Sequence, residues 1–279
     1  MKKAMNSIIN KRGDDGKQNR LLSYLQKILP VKIEKLIKIR HHVYEVHTVE
    51  GKFILKGFST HHHLKIQEDF SYALKKEGFH KTYEFYSFSF GEILLFDGQY
   101  YGCLEYIEPG KKPFYYDSIQ QCTDALDLLQ HFHEITAKLV DNYQPFLWKF
   151  SLKEKWQARF LQFQKNSRVP SLFLPQDILR ELYSWAEWSL NGLIEEWESL
   201  TEHNNVILHG DTAYHNFLRT SKNELYLIDF DLISIGPAVN DYLQFANRIL
   251  PVFDWKIETL LNYRQFHAYL DKRFFLFAL

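Results

Sequence analysis

The sequence predicts an α+β protein with two lobes, a small N-terminal lobe built on an antiparallel sheet and a larger lobe that is mostly helical. Short runs rich in β-branched and aromatic residues, joined by tight turns, fill the first part of the chain. Stretches with helical spacing dominate from about residue 118. A segment bearing Pro and Gly, EYIEPGKKPF, separates the two patterns. We therefore expect a mobile arm over residues 1–20, the small lobe over residues 21–108 and the helical lobe over residues 109–279.

The elements of the small lobe follow from local patterns. The end of the arm, KRGDDGKQNR, has no apolar residue, whereas helical spacing begins at Leu21 and Pro30 stops it. Glu50-Gly51 and Asp97-Gly98 are hairpin turn signals. The predicted elements are a helix over Leu21–Leu29, strands over Val31–Ile39, Val43–Val49 and Lys52–Phe58, a helix from a Ser59 or Thr60 cap to Glu77, and strands over Ile93–Phe96 and Tyr101–Ile107.

The helical lobe is predicted to contain long helices followed by short strands. Its elements are helices over Ser118–Leu139, Lys153–Gln164 and Pro175–Leu200, a strand over Val206–Leu208, and a hairpin of Asn216–Leu218 with Leu225–Ile228 around a Ser-Lys-Asn turn. No internal repeat or low-complexity segment interrupts this pattern.

Composition narrows the class of protein. With 279 residues, 46% of them hydrophobic, the chain can bury a sizeable core. Lys plus Arg and Asp plus Glu both total 34, so no overall charge attracts nucleic acid or an acidic membrane, although a local basic groove is not ruled out. No apolar run reaches signal-peptide or transmembrane length. Cys103 and Cys122 fit no disulfide framework or metal pattern. We expect a cytoplasmic protein without nucleic-acid or membrane partners.

Two polar clusters, HGDTAYHN and LIDFD, lie towards the C-terminal end. They place Asp211, Asn216 and Asp229 at predicted strand ends, separated by the short hairpin. Converging oxygen ligands suit Mg²⁺, which keeps several waters and often binds nucleotide phosphates. With such a metal, Asn216 and Asp229 can be ligands, and Asp211 is left to accept a proton from an attacking hydroxyl.

These two motifs resemble the aminoglycoside phosphotransferase/choline kinase branch of the protein-kinase-like fold. HGDTAYHN is similar to that branch's H-G-D-x-x-x-x-N catalytic loop, and LIDFD is similar to its I-D-x-[DE] metal-binding strand end. The resemblance implies a bilobal kinase-like fold that uses ATP and Mg²⁺. It assigns Asp211 as the base and Asn216 and Asp229 as magnesium ligands. Asp231 would orient a metal-bound water or cap the following loop.

The resemblance extends to supporting residues. GPAVNDYLQFANR is similar to the family segment in which an Asp supports the catalytic loop, which nominates Asp241, and His209 would brace that loop by hydrogen bonds. KFILKGF is similar to the strand whose lysine contacts nucleotide phosphates, which nominates Lys56. Family position favours Glu68 as the ion-pair partner of Lys56, whereas helical phase favours Glu77, since Ile66, Phe70, Ala73 and Leu74 form the apolar stripe.

The resemblance also reaches the connection between the lobes. YGCLEYIEPG is similar to the hinge strand, so backbone groups of Glu105, Tyr106 and Ile107 are expected near an adenine edge. LQHFHEITA resembles the buried helix that begins the second lobe.

Two features depart from the family pattern. The first hairpin region, KIRHHVYEVHTVEG, has no glycine before Gly51, where such kinases often carry a glycine-bearing phosphate loop. The chain ends in YLDKRFFLFAL, an apolar stretch that offers a surface for self-association or a partner. Both features are similar to the spore-coat kinase-like branch of the family, which would make the protein spore-associated.

Other polar groups are predicted to be structural. Consecutive residues of a helix point in different directions, so His61, His62 and His63 are expected at the surface rather than around a metal. His131 and His133 have no ligand spacing and are expected to pack or face solvent. An acidic acceptor pocket would suggest a cationic substrate, but solvation explains the local acidic run more simply. That run comprises Glu195, Glu196, Glu198 and Glu202.

Two functions are therefore compatible with the sequence. The first is a phosphotransferase that moves the γ-phosphoryl group of ATP to a hydroxyl of a small molecule, with Mg²⁺ and Lys56 neutralising phosphate charge. The second is a pseudokinase that serves as a binding or assembly module. The intact Asp211, Asn216 and Asp229 set favours the first, and the glycine-free hairpin favours the second.

Overall fold

The computed structural model describes residues 16–86, 94–166, 174–201 and 205–267. The chain divides into two compact units, Met1–Glu108 and Pro109–Leu279. The first is built on an antiparallel sheet and the second is mostly helical, which confirms the predicted α+β class. No helix in the described part of the chain is both long enough and apolar enough to cross a bilayer.

The first unit contains a five-stranded antiparallel sheet with the order β1-β2-β3-β5-β4. Its strands are β1 (Ile33–Arg40), β2 (Val43–Thr48), β3 (Gly51–Phe58), β4 (Leu94–Phe96) and β5 (Gln99–Glu105). The Asp97-Gly98 turn joins β4 directly to β5, because both residues adopt positive φ and Phe96 pairs with Gln99. Strand β5 therefore starts two residues earlier than predicted, and it also ends two residues earlier, at Glu105.

Two helices accompany this sheet, α1 (residues 16–28) and α2 (His61–Lys76). Residues 16–20, which we assigned to the mobile arm, are helical, and Lys17 forms an ion pair of 2.9 Å with Asp97. The rest of the predicted arm lies outside the described residues. Leu21 and Leu25 of α1 are fully buried in a core cluster with β1, β2, β3 and β5.

Helix α2 is capped as predicted, since the Thr60 hydroxyl accepts a hydrogen bond from the His63 N–H at 3.1 Å. Gly78 follows its end with a φ of +103°. The buried face of α2 consists of Leu64, Gln67, Phe70, Ser71 and Leu74. This face is rotated from the predicted stripe, because two polar side chains occupy it while Ile66 is only half-buried.

The second unit contains six α-helices in its described part. These are α3 (Ile119–Thr136), α4 (Val140–Tyr143), α5 (Leu152–Lys165), α6 (Gln176–Thr201), α7 (Val239–Ile249) and α8 (Arg264–His267). Four 3-10 turns accompany them, at Ala137–Leu139, Tyr214–Asn216, Leu250–Phe253 and Ile257–Asn262. The long helix predicted from Ser118 to Leu139 changes to a 3-10 turn after Thr136, and Ser118 is its N-cap.

Two small antiparallel sheets lie in the same unit. One pairs β6 (Asn205–Leu208) with β9 (Ser234–Pro237), and the other pairs β7 (Phe217–Arg219) with β8 (Leu225–Leu227). Strand β9 was not predicted. Helix α3 supports β6, since the hydroxyl of the buried Thr136 donates to the Ile207 carbonyl at 3.0 Å. These sheets fix the two ends of the segment that carries the polar motifs.

Several predictions fall outside the described residues. The apolar C-terminal stretch lies within residues 268–279, and Glu202 of the acidic run lies within residues 202–204. The side chains of Glu195, Glu196 and Glu198 are likewise not described.

Candidate active site

The predicted catalytic residues lie on one loop and one strand end of the second unit. The loop HGDTAYHN leaves β6, turns through the 3-10 segment Tyr214–Asn216 and enters β7. Asp229 follows β8 by two residues. A backbone hydrogen bond of 2.9 Å from the Ile228 N–H to the Asn216 carbonyl joins the two positions. The hairpin between the motifs therefore brings their ends together, as the sequence predicted.

Asp211 and Asn216 are in direct contact. The Asn216 Nδ2 donates to the Asp211 Oδ2 at 3.1 Å and to the Asp211 backbone carbonyl at 3.0 Å. The other carboxylate oxygen, Oδ1, accepts from Nη2 of Arg248 on α7 at 2.7 Å. Asp211 is half-buried, and each of its carboxylate oxygens has a fixed neighbour. The carboxylate is thus oriented before any ligand binds.

The amide oxygen of Asn216 is available to a metal ion. Asn216 is 1% exposed, and its Oδ1 has no hydrogen-bond partner among the described residues. A buried acceptor without a partner is costly, and a cation can satisfy it. Asp229, half-buried and held at a φ of +72°, adds a carboxylate. The described residues contain no group of three or more His, Cys, Asp or Glu suited to a metal. An amide and a carboxylate fit Mg²⁺, which completes its shell with water and phosphate oxygens.

Asp241 anchors the start of the catalytic loop. It is fully buried, and its carboxylate accepts from the backbone N–H of His209 at 2.8 Å and of Gly210 at 3.0 Å. His133 Nε2 on α3 donates to the same carboxylate at 2.8 Å. Burial alone would raise the pKa of Asp241, yet the hydrogen bond and charge of His133 and the bond from His209 hold it below its ordinary value. Asp241 is therefore a loop-supporting carboxylate.

His209 braces the loop from the other side. Its Nδ1 accepts from the Asp211 N–H at 3.3 Å, so the proton is on Nε2, which donates to the Ile228 carbonyl at 2.9 Å. The ring contacts Phe132 and Phe230 edge to face. Burial lowers the pKa of His209 despite nearby carboxylates, which matches a neutral ring that uses one nitrogen as donor and the other as acceptor.

Lys56, the predicted phosphate-binding lysine, lies on β3 of the first unit. It is only 6% exposed, and its Nζ lies 5.4 Å from the centre of the Phe58 ring. Of its two candidate partners on α2, Glu68 pairs with Lys65 at 2.7 Å, and Glu77 is the exposed C-terminal cap of the helix. The choice between them stays a prediction. Helical phase turns Gln67, not a glutamate, to the buried face.

The predicted hinge residues lie at and beyond the end of β5. The Glu105 N–H donates to the Glu84 carbonyl at 2.7 Å, so this donor is used within the unit. Tyr106 and Ile107 are half-buried, and Lys52 Nζ lies 4.8 Å from the centre of the Tyr106 ring. Because the Glu105 N–H is engaged, an adenine edge would have to use the Glu105 carbonyl or the backbone of the two residues that follow it.

The glycine-free hairpin forms a tight turn. His41 and His42 alone join β1 to β2, and His42 adopts a φ of +55°. Its carbonyl accepts from the Gly57 N–H at 2.8 Å, and its Nδ1 lies 3.4 Å from the Tyr101 hydroxyl. The strands therefore connect without an extended loop.

Comparison with known proteins identifies the family. Residues 38–273 match the sequence profile of the phosphotransferase enzyme family. The chain belongs to the phosphotransferase enzyme family. Comparison with curated protein sequences finds no match. The match spans both units and includes the catalytic loop, so it confirms the family that the two motifs predicted. The spore-coat branch of that family stays a prediction.

Solved structures confirm the kinase-like fold. An aminoglycoside phosphotransferase from Alicyclobacillus acidocaldarius is 17% identical, with a TM-score of 0.72 over 90% of this chain and 79% of that one. An amicoumacin kinase bound to AMP-PNP and Ca²⁺ is 16% identical, with a TM-score of 0.61 over 94% and 83%. A choline kinase from Streptococcus pneumoniae is 17% identical, with a TM-score of 0.51 over 88% and 80%.

The structure of this phosphotransferase-family chain adds residues that the sequence did not nominate. His133, expected to pack or face solvent, is buried against Asp241, and a helical phase count would have placed it on the buried side of α3 with Phe132. Arg248 contacts Asp211 although the two residues are 37 positions apart in the sequence, and no local sequence pattern predicts that contact. Asp231 is exposed, and its role stays a prediction.

Proposed function

We propose that this protein is an ATP- and Mg²⁺-dependent phosphotransferase that moves the γ-phosphoryl group to a hydroxyl of a small molecule. The observation that carries the proposal is the buried, unpartnered Oδ1 of Asn216 beside the oriented Asp211 carboxylate. Family membership and the nucleotide analogue in the solved amicoumacin kinase support the same function.

The residues of the second unit have separate roles in proton acceptance, metal binding and support of the loop. Asp211 accepts the proton of the acceptor hydroxyl, because its carboxylate is fixed in place yet half-exposed. Asn216 Oδ1 and the Asp229 carboxylate would hold the metal. Bound Mg²⁺ would supply neutralisation of phosphate charge as the phosphoryl group moves. Asp241 and His209 hold the loop that carries Asp211 and keep the site in one conformation.

The first unit would contribute nucleotide contacts. Lys56 is the candidate for the phosphates, and the remaining backbone groups of Glu105, Tyr106 and Ile107 are the candidates for adenine. The alternative of a pseudokinase would leave the Asn216 amide oxygen buried without a function. The complete set of Asp211, Asn216 and Asp229 therefore favours the enzyme.

Replacement of Asp211 tests the catalytic step. ADP formation would be followed in the presence of ATP, Mg²⁺ and a panel of hydroxyl compounds. Asp211→Asn removes the proton acceptor but preserves size, so we expect turnover to fall by about 10²- to 10⁴-fold while Mg-ATP binding is kept. Equal turnover by the folded variant would show that Asp211 is not the base. Absence of ADP formation with any acceptor, together with absence of Mg-ATP binding, would leave the pseudokinase.

A further inference from the structure

A cleft beside Asp211 is built entirely from the second unit. It has a volume of about 600 Å³, which lies in the range of small-molecule sites. Helices α5 and α7 and the catalytic loop provide its walls. The residues that line it include Asp211, Lys155, Arg159, Asn240 and Arg248.

The charge of this cleft is positive. Among the described residues that line it, three are basic and Asp211 alone is acidic. Arg248 is paired with Asp211. Lys155 and Arg159 lie one turn apart on α5, and no carboxylate of the described residues is within ion-pair distance of either. The Lys155 Nζ instead lies 5.0 Å from the centre of the Phe150 ring.

The environment of Lys155 favours an added anion. Burial and the neighbouring Arg159 lower the pKa of Lys155, although Asp241 acts in the opposite direction. Two like charges that approach each other with no carboxylate within ion-pair distance repel, and a bound anion relieves both the repulsion and the loss of hydration. Such a pair is typical of a site that recognises a carboxylate or a phosphate.

A second feature points independently to a ligand. Asn240 on α7 is 3% exposed and lines the cleft, yet neither Oδ1 nor Nδ2 of its amide has a hydrogen-bond partner among the described residues. Buried amides are nearly always hydrogen-bonded. A ligand with both hydroxyl and acidic oxygens would satisfy the donor and the acceptor of this amide.

The cleft borders the side of Asp211 that faces Arg248. One carboxylate oxygen of Asp211 faces Asn216, a metal-ligand candidate, and the other faces Arg248, which lines the cleft. Neither Asn216 nor Asp229 is among the described residues that line it. A hydroxyl bound in the cleft would therefore approach Asp211 from the side opposite the metal ligands.

We propose that the phosphoryl acceptor is an anionic hydroxyl compound, a hydroxy acid or a sugar phosphate, whose acidic group binds Lys155 and Arg159. The inference rests on the proposed phosphotransferase function. Asn240 would orient the acceptor, and Arg248 would contact both Asp211 and the bound anion. This charge preference is opposite to that expected for choline or an aminoglycoside, which are cations.

The reaction balances without a further reactant. The acceptor oxygen forms a bond to the γ-phosphorus of ATP, and the bond from that phosphorus to the bridging oxygen breaks. The hydroxyl proton passes to Asp211 and then to solvent. The products are ADP and an acceptor that carries both its original acidic group and a new phosphate ester.

Matched acceptor pairs test the inference. The full-length protein would be given glycerol 3-phosphate against glycerol, ribose 5-phosphate against ribose, and gluconate against sorbitol, with choline and an aminoglycoside added as cations. Binding would be measured by saturation-transfer NMR without nucleotide, and ADP formation would be measured with Mg-ATP. We expect an anionic member to bind and to be phosphorylated at least about tenfold better than its neutral partner.

Variants on one helix identify the binding residues. Lys155→Met and Arg159→Met should each weaken binding of the anion by about tenfold, whereas Lys165→Met, an exposed lysine at the end of α5, should not. Circular dichroism would verify that each variant is folded. Mg-ATP affinity, measured separately by calorimetry, should be unchanged in all three variants.

The outcomes are distinct. Preference for neutral or cationic compounds, absence of anion binding, or anion binding unaffected by Lys155→Met and Arg159→Met would each overturn the inference while leaving the phosphotransferase in place. Loss of Mg-ATP affinity in these variants would assign the two cations to nucleotide phosphates and also overturn it. Anion binding without any Mg-ATP binding would uphold the cleft and reject the proposed function.

Discussion

Gly210 occupies a position in the catalytic loop that no other residue can take without strain. Its φ is +79°, and a Cβ placed there would lie 2.2 Å from the Leu232 carbonyl oxygen. A backbone atom cannot move away as a flexible side chain can. Gly210→Ala should therefore lower the free energy of unfolding by about 2–4 kcal/mol, measured by urea denaturation.

Gly98 provides the matched control for this prediction. It has a similar φ of +73°, but no atom lies within 4 Å of an added Cβ. Gly98→Ala should thus cost about 1 kcal/mol from backbone strain alone. Equal losses in the two variants would show that the contact with Leu232 is not what requires glycine in the catalytic loop.

His209 makes the stability of the loop dependent on pH. Its pKa in the folded protein is below the ordinary value of 6.5, so unfolding takes up protons on this ring. The corresponding stabilisation is present above pH 6.5 and is lost as pH falls through the folded pKa. Asp241 acts in the same direction at lower pH, since its folded pKa is below 3.8.

Replacement of His209 should remove this pH dependence. The free energy of unfolding of His209→Gln should be lower than that of the natural chain at about pH 8. The difference should narrow at about pH 5.5, because only the natural chain is then destabilised by proton uptake on the unfolded histidine. Thermal unfolding followed by circular dichroism measures both. His131→Gln, which replaces an exposed histidine on α3, is measured alongside it to show the effect of removing a histidine outside the loop. A constant difference at the two pH values would contradict the assigned neutral ring.

Strand β3 carries two lysines that differ in solvent exposure. Lys56 is buried, whereas the side chain of Lys52 is 37% exposed and pairs with Glu45 at 3.2 Å. If Lys56 contacts nucleotide phosphates as proposed, Lys56→Met should weaken Mg-ATP binding by about tenfold or more, and Lys52→Met, which removes a cation near the Tyr106 ring, should weaken it less. Fluorescence titration with a nucleotide analogue measures both affinities. Similar affinities in the two variants would remove Lys56 from the nucleotide site.

Secondary structure was predictable where the signal was local. The Glu50-Gly51 and Asp97-Gly98 turns fixed two hairpins, because left-handed turn residues act within a few positions. Strand β9 was missed because SIGP carries Gly and Pro and pairs only with the distant β6. The face of α2 was misjudged because Ser71 is buried through a bond of 2.6 Å to the Tyr83 carbonyl, which hydrophobic spacing cannot reveal.

The candidate site was likewise predictable only where its residues are close together in the sequence. Asp211, Asn216 and Asp229 occur within one short motif pair, so their spacing was visible in the sequence. Arg248 and His133 reach the same loop from separate helices, 37 residues from Asp211 and 108 from Asp241 respectively. Only the packing of the helices brings them there. The partner of Lys56 was left open between Glu68 and Glu77, because family position and helical phase disagree there.

The net charge of the whole chain differs from the net charge of the cleft beside Asp211. The chain has equal numbers of basic and acidic residues, yet the cleft beside Asp211 has three basic residues and one acidic residue among its described lining. Composition argues against a general affinity for polyanions, and it does not address a site for one small anion. The charge of the substrate that the cleft favours therefore depends on which residues the fold brings together, and composition alone does not predict it.

The central claim is that Asp229 helps to bind a nucleotide-bound metal, and calorimetric titration of Mg-ATP into the full chain tests it most directly. Asp229→Asn is suited to the test because Asn tolerates the positive φ of this position. Asp254→Asn is the matched control, since Asp254 is exposed and has a φ of +54°. We predict Mg²⁺-dependent ATP binding that is lost in Asp229→Asn and retained in Asp254→Asn. Absence of binding in the natural chain, or binding unchanged in Asp229→Asn, would contradict the proposed phosphotransferase site.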